Sequence, residues 1–185
     1  YDMVDPHALQ WFYERGTAQG ADLVIAKYDI FNRFRRTEAH RLKHLVTKDI
    51  IDRYDREILW TFSLSNKLFR ASLIRENGLV MPEEVAYSED GVFVMRFVSL
   101  AERITGLQQV VFHYRRMNDG ETDSITSSVR LSKIRDYIAA HQLILQQIEA
   151  DFARDCPAYA SVEEICRNVP EKERYRSEFF RKEAQ

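Results

Sequence analysis

Long apolar runs, paired cysteines and an excess of charge of either sign are all missing from this chain, and each absence removes a class of protein. No apolar stretch approaches the ~20 residues that span a bilayer, and no basic segment leading into an apolar one opens the sequence, so neither a membrane span nor a secretion signal is expected. The two cysteines, Cys156 and Cys166, form no C-x-x-C pair, which argues against zinc ribbons and dithiol redox motifs and suits a reducing cytoplasm. With 27 Lys and Arg against 29 Asp and Glu, a net charge of -2 supplies no overall field to recruit nucleic acid or an anionic membrane. What is present is a chain of 185 residues, 45% hydrophobic and 30% charged, enough to bury one good core as a single domain or a domain with an appendage. It opens on Tyr1, as a processed or excised polypeptide would.

Asp5-Pro6 predicts a helix start, with Asp5 as N-cap and Pro6 in the first helical position; Leu9, Phe12 and Tyr13 then give a short amphipathic helix ending near Gly16 or Gly20. Leu23-Val24-Ile25-Ala26, continuing through Tyr28, Ile30 and Phe31, predicts a buried strand, and a helix followed by a buried strand points to α/β organisation. Asn32 to Tyr54 is rich in Arg and Lys and is expected to be a solvated basic face; His40 and His44 stand at i and i+4 but lack the acid of a metal-binding H-E-x-x-H pattern. Ser72 to Gly78 predicts a short helix closed by Gly78.

Tyr87 to Phe93 is the centre of the chain. Ser88 is a candidate N-cap, Glu89 and Asp90 fall in the first turn, and Val92, Phe93, Met95, Phe97 and Leu100 supply an apolar face. Carboxylates there are favoured by the helix dipole, and an ionised, placed carboxylate is what a general base requires. Without that role they are ordinary helix-start acids. Val110 to Arg115 predicts a strand with His113, Arg115 and Arg116 at its end, where loops of α/β sheets carry ligand-binding groups, and Asp123 to Ser128 predicts a polar loop beside them. Leu131, Ile134, Ile138, His141, Leu145, Ile148 and Phe152 form a heptad-like seam on one long helix, which either packs back on the domain or pairs with a second copy in a homodimer. Cys156-Pro157 ends that helix, and Tyr175, Phe179 and Phe180 give the tail a weak amphipathic face suited to peripheral membrane association.

Several of these residues form an ordered set: Val4-Asp5-Pro6; Gly20-Ala21-Asp22-Leu23-Val24; Asn66-Lys67-Leu68-Phe69-Arg70 with Ser72-Leu73-Ile74; Asn77-Gly78-Leu79; Pro82-Glu83; Glu89-Asp90 with Phe93; and Tyr114-Arg115 with Ser124-Ile125-Thr126. In this order, over about residues 1–128, they resemble the C-terminal half of bacterial family 2 glycosyltransferases of the GT-A fold, found in capsule, teichoic-acid and exopolysaccharide synthesis. The resemblance implies an α/β fold in which 1–128 is the C-terminal part of a Rossmann-like GT-A domain and 129–185 a helical extension.

It also implies an inverting transfer from a nucleotide-sugar donor, usually a UDP-sugar, to a hydroxyl of a saccharide or polyol-phosphate acceptor. Asp90 would be the general base, with Glu89 binding acceptor or donor sugar. Asp2 and His113 would hold a divalent metal, Mn²⁺ or Mg²⁺, while Arg115, Arg116 and Lys67 face the diphosphate. The work would be cytoplasmic, at the inner face of the membrane. Tyr1 departs from the family, standing where another Asp of its D-x-D cluster is usual, and the family's nucleotide-binding half has no counterpart here. An exposed sheet edge, needing cover from a longer parent or another chain, and poor catalysis by the chain alone are therefore expected. The alternative is a non-catalytic binding or assembly module derived from such an enzyme. A nucleic-acid binder built on Arg33 to Lys48 is disfavoured by the balanced charge and the lack of a motif.

Overall fold

The computed structural model describes residues 1–34, 36–38, 42–53, 55, 57–58, 61–116 and 131–155. The expected features at His40, Ser124-Ile125-Thr126, Cys156, Cys166 and the 161–185 tail lie outside the described residues. Contacts divide the described residues into two compact units, one running from Tyr1 to Val80 and resuming at Leu100, the other made of Met81–Ser99 and residues 131–155.

The first unit is built on one mixed sheet. Its strands are β1 (Met3–Val4), β2 (Leu23–Phe31), β3 (Arg36–Glu38), β4 (Lys67–Phe69) and β5 (Ile104–Arg115), with helices α1 (Ala8–Gln19) and α2 (Ala71–Glu76). The order is β1-β5-β2-β3, with β4 also on β2. β2 runs parallel to β5 along its whole length, and its other edge is shared antiparallel by β4 at Leu23–Ile25 and β3 at Asp29–Phe31. Leu23 to Ala26 are all buried, the signature of a strand covered on both faces. On one face, Ala8 and Phe12 of α1 pack with Val24, Ala26, Leu107 and Val111.

Local chemistry moves several boundaries from their expected places. Asp5 does not cap α1. Its Oδ1 instead accepts the His7 N–H at 2.8 Å, an Asx-type turn that delays the helix to Ala8. α1 ends at Gly20, whose left-handed φ of 59° suits a residue without Cβ. The basic segment is not wholly solvated: Leu42, Leu45 and Val46, the latter two in a 3₁₀ turn (Leu45–Thr47), are buried.

The outer edge of β5 is covered along most of its length by the chain itself. Ile51 N–H donates to Ile104 O at 2.8 Å, Gly106 N–H to Lys48 O at 2.9 Å and Asp5 N–H to Val111 O at 2.9 Å, and β1 pairs with Phe112 and His113. The register with β2 is irregular from Leu107 to Phe112, and at its start a cavity of about 500 Å³ opens, lined by Trp11, Glu14, Arg15, Asp49, Gln108 and Gln109 among others.

The second unit contains α3 (Glu89–Leu100, its last residue in the first unit) and α4 (Leu131–Asp155). α3 is buried on nearly every side, from Gly91 to Met95 and Phe97 to Ser99. α4 touches its own unit through Gln147 Nε2, which donates to Ser99 Oγ at 3.2 Å, and through Tyr137, whose ring lies 6.1 Å from that of Tyr87. Its buried stripe is Ala140, Ile144, Ile148 and Asp151, whereas Ile134 of the expected seam is exposed. No helix among the described residues is long and apolar enough to cross a membrane.

Candidate functional site

β2 and β5 are parallel, so their carboxyl ends lie side by side, the usual place for ligand-binding groups in α/β sheets. Register decides what meets there. Met3, His113, Asp29 and Glu38 form one row across four strands. His113 Nδ1 lies 2.8 Å from Asp29 Oδ1, and Arg36 Nε lies 3.3 Å from Asp29 Oδ2. The Asp29 side chain is only 5% exposed, so its oxygens find their hydrogen-bond partners in these side chains rather than in water. Two rows outward, Arg115 N–H donates to Asp2 Oδ1 at 2.8 Å and, next to it, Arg116 N–H to Phe31 O at 2.8 Å. Asp2, His113, Arg115 and Arg116 are thus gathered at one end of the sheet.

Lys67 is not part of that cluster. It sits opposite Ile25, six residues before the Phe31 that pairs with Arg115, roughly 20 Å back along β2. It is buried, with Nζ donating to Thr61 Oγ1 at 2.7 Å, to Asn66 Oδ1 at 3.0 Å and to Ser63 O. Asn66 is itself buried and donates to Ala26 O at 2.7 Å, which ties the turn before β4 to β2. Asp22 and Arg70 act similarly. Asp22 Oδ2 accepts the N–H groups of Glu102 and Arg103, each at 2.9 Å, while Oδ1 meets Arg70 Nε at 2.8 Å.

In the second unit Glu89 and Asp90 do open α3, but not behind a conventional cap. Ser88 has φ of 66°, the one non-glycine residue with positive φ among the described residues, where an N-cap would be extended. That conformation costs roughly 1–2 kcal/mol, the sort of strain found at functional turns. Both carboxylates are half-buried, and Asp90 Oδ1 accepts the Gly91 N–H at 2.9 Å. No three His, Cys, Asp or Glu side chains among the described residues converge on a point where a metal ion could sit.

The chain matches no protein-family model. It is 28% identical over 124 residues to a poly(ribitol-phosphate) β-glucosyltransferase of Bacillus spizizenii, covering 67% of this chain and 19% of that protein. It is 33% identical over 64 residues to the poly(ribitol-phosphate) β-N-acetylglucosaminyltransferase TarS of Staphylococcus aureus, covering 35% of this chain and 11% of TarS. The crystal structure of S. aureus TarS 1–349 in complex with UDP-GlcNAc superposes with a TM-score of 0.60 at 16% identity, over 94% of this chain and 51% of that one. The chain shares its fold with about half of that TarS segment. The UDP complex of the same TarS segment superposes with a TM-score of 0.59. The chain spans less than a fifth of the length of the curated relatives it matches.

Against the TarS fold, one neighbour of the site had no sequence signal. Asp29 lies between two apolar residues inside a strand and stands 84 positions from His113, so only register joins them. The cavity at Gln108–Gln109 lies about four residues, roughly 13 Å, short of His113, and the gathered site residues do not line it.

Proposed function

We propose that the chain is the acceptor-side portion of an inverting, family 2 type glycosyltransferase that moves a sugar from a UDP-sugar to a hydroxyl of a poly(ribitol-phosphate)-like chain. The observation that carries this is the gathering of Asp2, His113 and Arg115 at the carboxyl ends of β2 and β5, in a fold shared with the UDP-GlcNAc complex of TarS. Arg115 and Arg116 would meet the diphosphate there. Mg²⁺ and Mn²⁺ sites at diphosphates often take one or two protein ligands and complete their shell with phosphate oxygens and water. Asp2 and His113 fit such a partial set, and a divalent ion held by them would supply charge neutralisation as the diphosphate departs.

Asp90 is assigned as the general base. The acceptor oxygen forms its bond to the anomeric carbon, the bond from that carbon to the diphosphate oxygen breaks, and the acceptor proton passes to the Asp90 carboxylate. Proton removal of this kind is worth ~10²–10⁴-fold. Glu89 is assigned to a sugar hydroxyl. Lys67, with its ammonium donating to three oxygens of its own turn, is assigned to holding that turn rather than to phosphate contact.

The test is calorimetric titration with UDP, with and without Mn²⁺, on the unaltered chain and on Asp2→Ala and His113→Ala. Mn²⁺-dependent binding weakened at least ~10-fold in both variants is expected. Metal-independent binding indifferent to both substitutions would refute the metal assignment. Absence of UDP binding by the folded chain would refute its share in the donor site and favour the assembly-module alternative.

A further inference from the structure

Asp29 is a buried carboxylate on β2 whose two oxygens are both engaged, one by His113 on β5 and one by Arg36 on β3. Burying a carboxylate costs several kcal/mol unless its partners are well placed, so an interior strand position is an expensive place to keep one. Arg36 is 57% exposed, and its link to Asp29 is 3.3 Å, so the closer and more enclosed partner is the imidazole, 14% exposed and 2.8 Å away. An ionised carboxylate only accepts, so the proton in that 2.8 Å contact belongs to His113 Nδ1. Neutral imidazole then carries its lone pair on Nε2, which has no hydrogen-bond partner among the described residues.

We infer that Asp29 is a positioning residue that holds His113 as the Nδ1–H tautomer, with Nε2 left as the nitrogen free to ligate. A carboxylate behind a ligating histidine both orients the ring and raises its basicity. The other proposed donor is fixed in a parallel way: Asp2 Oδ1 is tied to the Arg115 backbone N–H. Each of the two donors is therefore aligned by a group that would not itself touch the ion, which is how a site with only two protein ligands keeps its geometry between turnovers. The inference rests on the metal assignment above only for its purpose; the hold of Asp29 on the ring stands or falls separately.

The experiment is long-range ¹H–¹⁵N correlation of the imidazole in the unaltered chain and in Asp29→Asn, together with Mn²⁺ titration of both in the presence of UDP. His113 is expected as the Nδ1–H form in the unaltered chain, and as a mixture or the Nε2–H form in Asp29→Asn, whose amide can donate to Nδ1. Mn²⁺ affinity should fall 10–100-fold, with Asp29→Glu recovering part of it. An Nε2–H tautomer in the unaltered chain overturns the inference without any variant, which covers the case in which Asp29→Asn fails to fold. An unchanged tautomer and unchanged Mn²⁺ affinity in folded Asp29→Asn also overturn it, leaving Asp29 as an anchor for Arg36. A tautomer that responds in a chain that binds no Mn²⁺ sinks the metal assignment alone.

Discussion

Three glycine-to-alanine substitutions in the first unit should behave in three different ways, for reasons visible in the backbone. A Cβ built on Gly106 would lie 2.5 Å from the carbonyl carbon and oxygen of Val46 and 2.6 Å from its Cα. Carbon pairs rest at ~3.5–4.0 Å, so the overlap is about 1 Å, and the obstructing atoms are backbone that no rotamer change can move. The 3₁₀ turn Leu45–Thr47 must retreat, which pulls apart the 2.9 Å bond from Gly106 N–H to Lys48 O just after the turn. Overpacking at ~1–3 kcal/mol and about 1 kcal/mol for a lost hydrogen bond put Gly106→Ala at about 2–4 kcal/mol of destabilisation. Gly16 is inside α1, and its added Cβ would meet only Val24 Cγ2 at 3.4 Å, so Gly16→Ala should stabilise by about 0.5–1 kcal/mol. Gly20 has open space but φ of 59°, so Gly20→Ala should cost about 1 kcal/mol through strain alone. Thermal unfolding followed by circular dichroism reads all three, at ~2–4 °C per kcal/mol for a chain of this size. A Gly106→Ala chain melting within a degree of the parent would refute the placement of the 3₁₀ turn against β5.

Asp22→Ala removes the acceptor for two backbone N–H groups and the Arg70 guanidinium, and should cost about 2–3 kcal/mol in urea unfolding, with Asp22→Asn recovering part of the loss. Lys67→Met strands the oxygens of Thr61, Ser63 and Asn66 and should cost about 1–3 kcal/mol, with faster amide exchange across 61–69; UDP affinity of the folded variant should not change, and a drop would return Lys67 to the phosphate. On the proposed assignment of Asp90 as general base, Asp90→Asn should lower kcat for sugar transfer by ~10²–10⁴ while leaving donor affinity intact. Turnover within threefold of the parent would rule out Asp90 as base.

Much of the fold was legible because its central strands are locally unambiguous. Leu23 to Phe31 begins as an unbroken apolar run and β2 stands where the pattern puts it; the β-branched and aromatic Val110 to Arg115 marked the end of β5, which begins six residues earlier at Ile104. The ends of elements were harder, because short polar side chains can serve two masters. Asp5 had the credentials of a cap and chose an Asx-turn; Ser88 likewise stands before a helix but in the left-handed region. The basic segment hid its apolar residues, since Leu42, Leu45 and Val46 lie among charges at a spacing too irregular to register as a face. At the site, His113 and Arg115 were visible as strand-end residues, whereas Asp29 was not. Its meaning comes from a neighbour on another strand, which no window along the chain contains.

The irregularity in β5 bears on that last point. Residues of β2 and β5 pair at an offset of 81 from Leu23 to Ile104 and of 84 from Asp29 to His113, so β5 spends three more residues than β2 over the same length. With an unbroken register Asp29 would face position 110, a valine, and His113 would pass beyond the end of β2. The slack in β5 thus works as a spacer that selects which side chain arrives beside the buried carboxylate. Gaining or losing a residue between Leu107 and Phe112 would change, by counting alone, which side chain meets Asp29, although neither Gln108 nor Gln109 lies in that row.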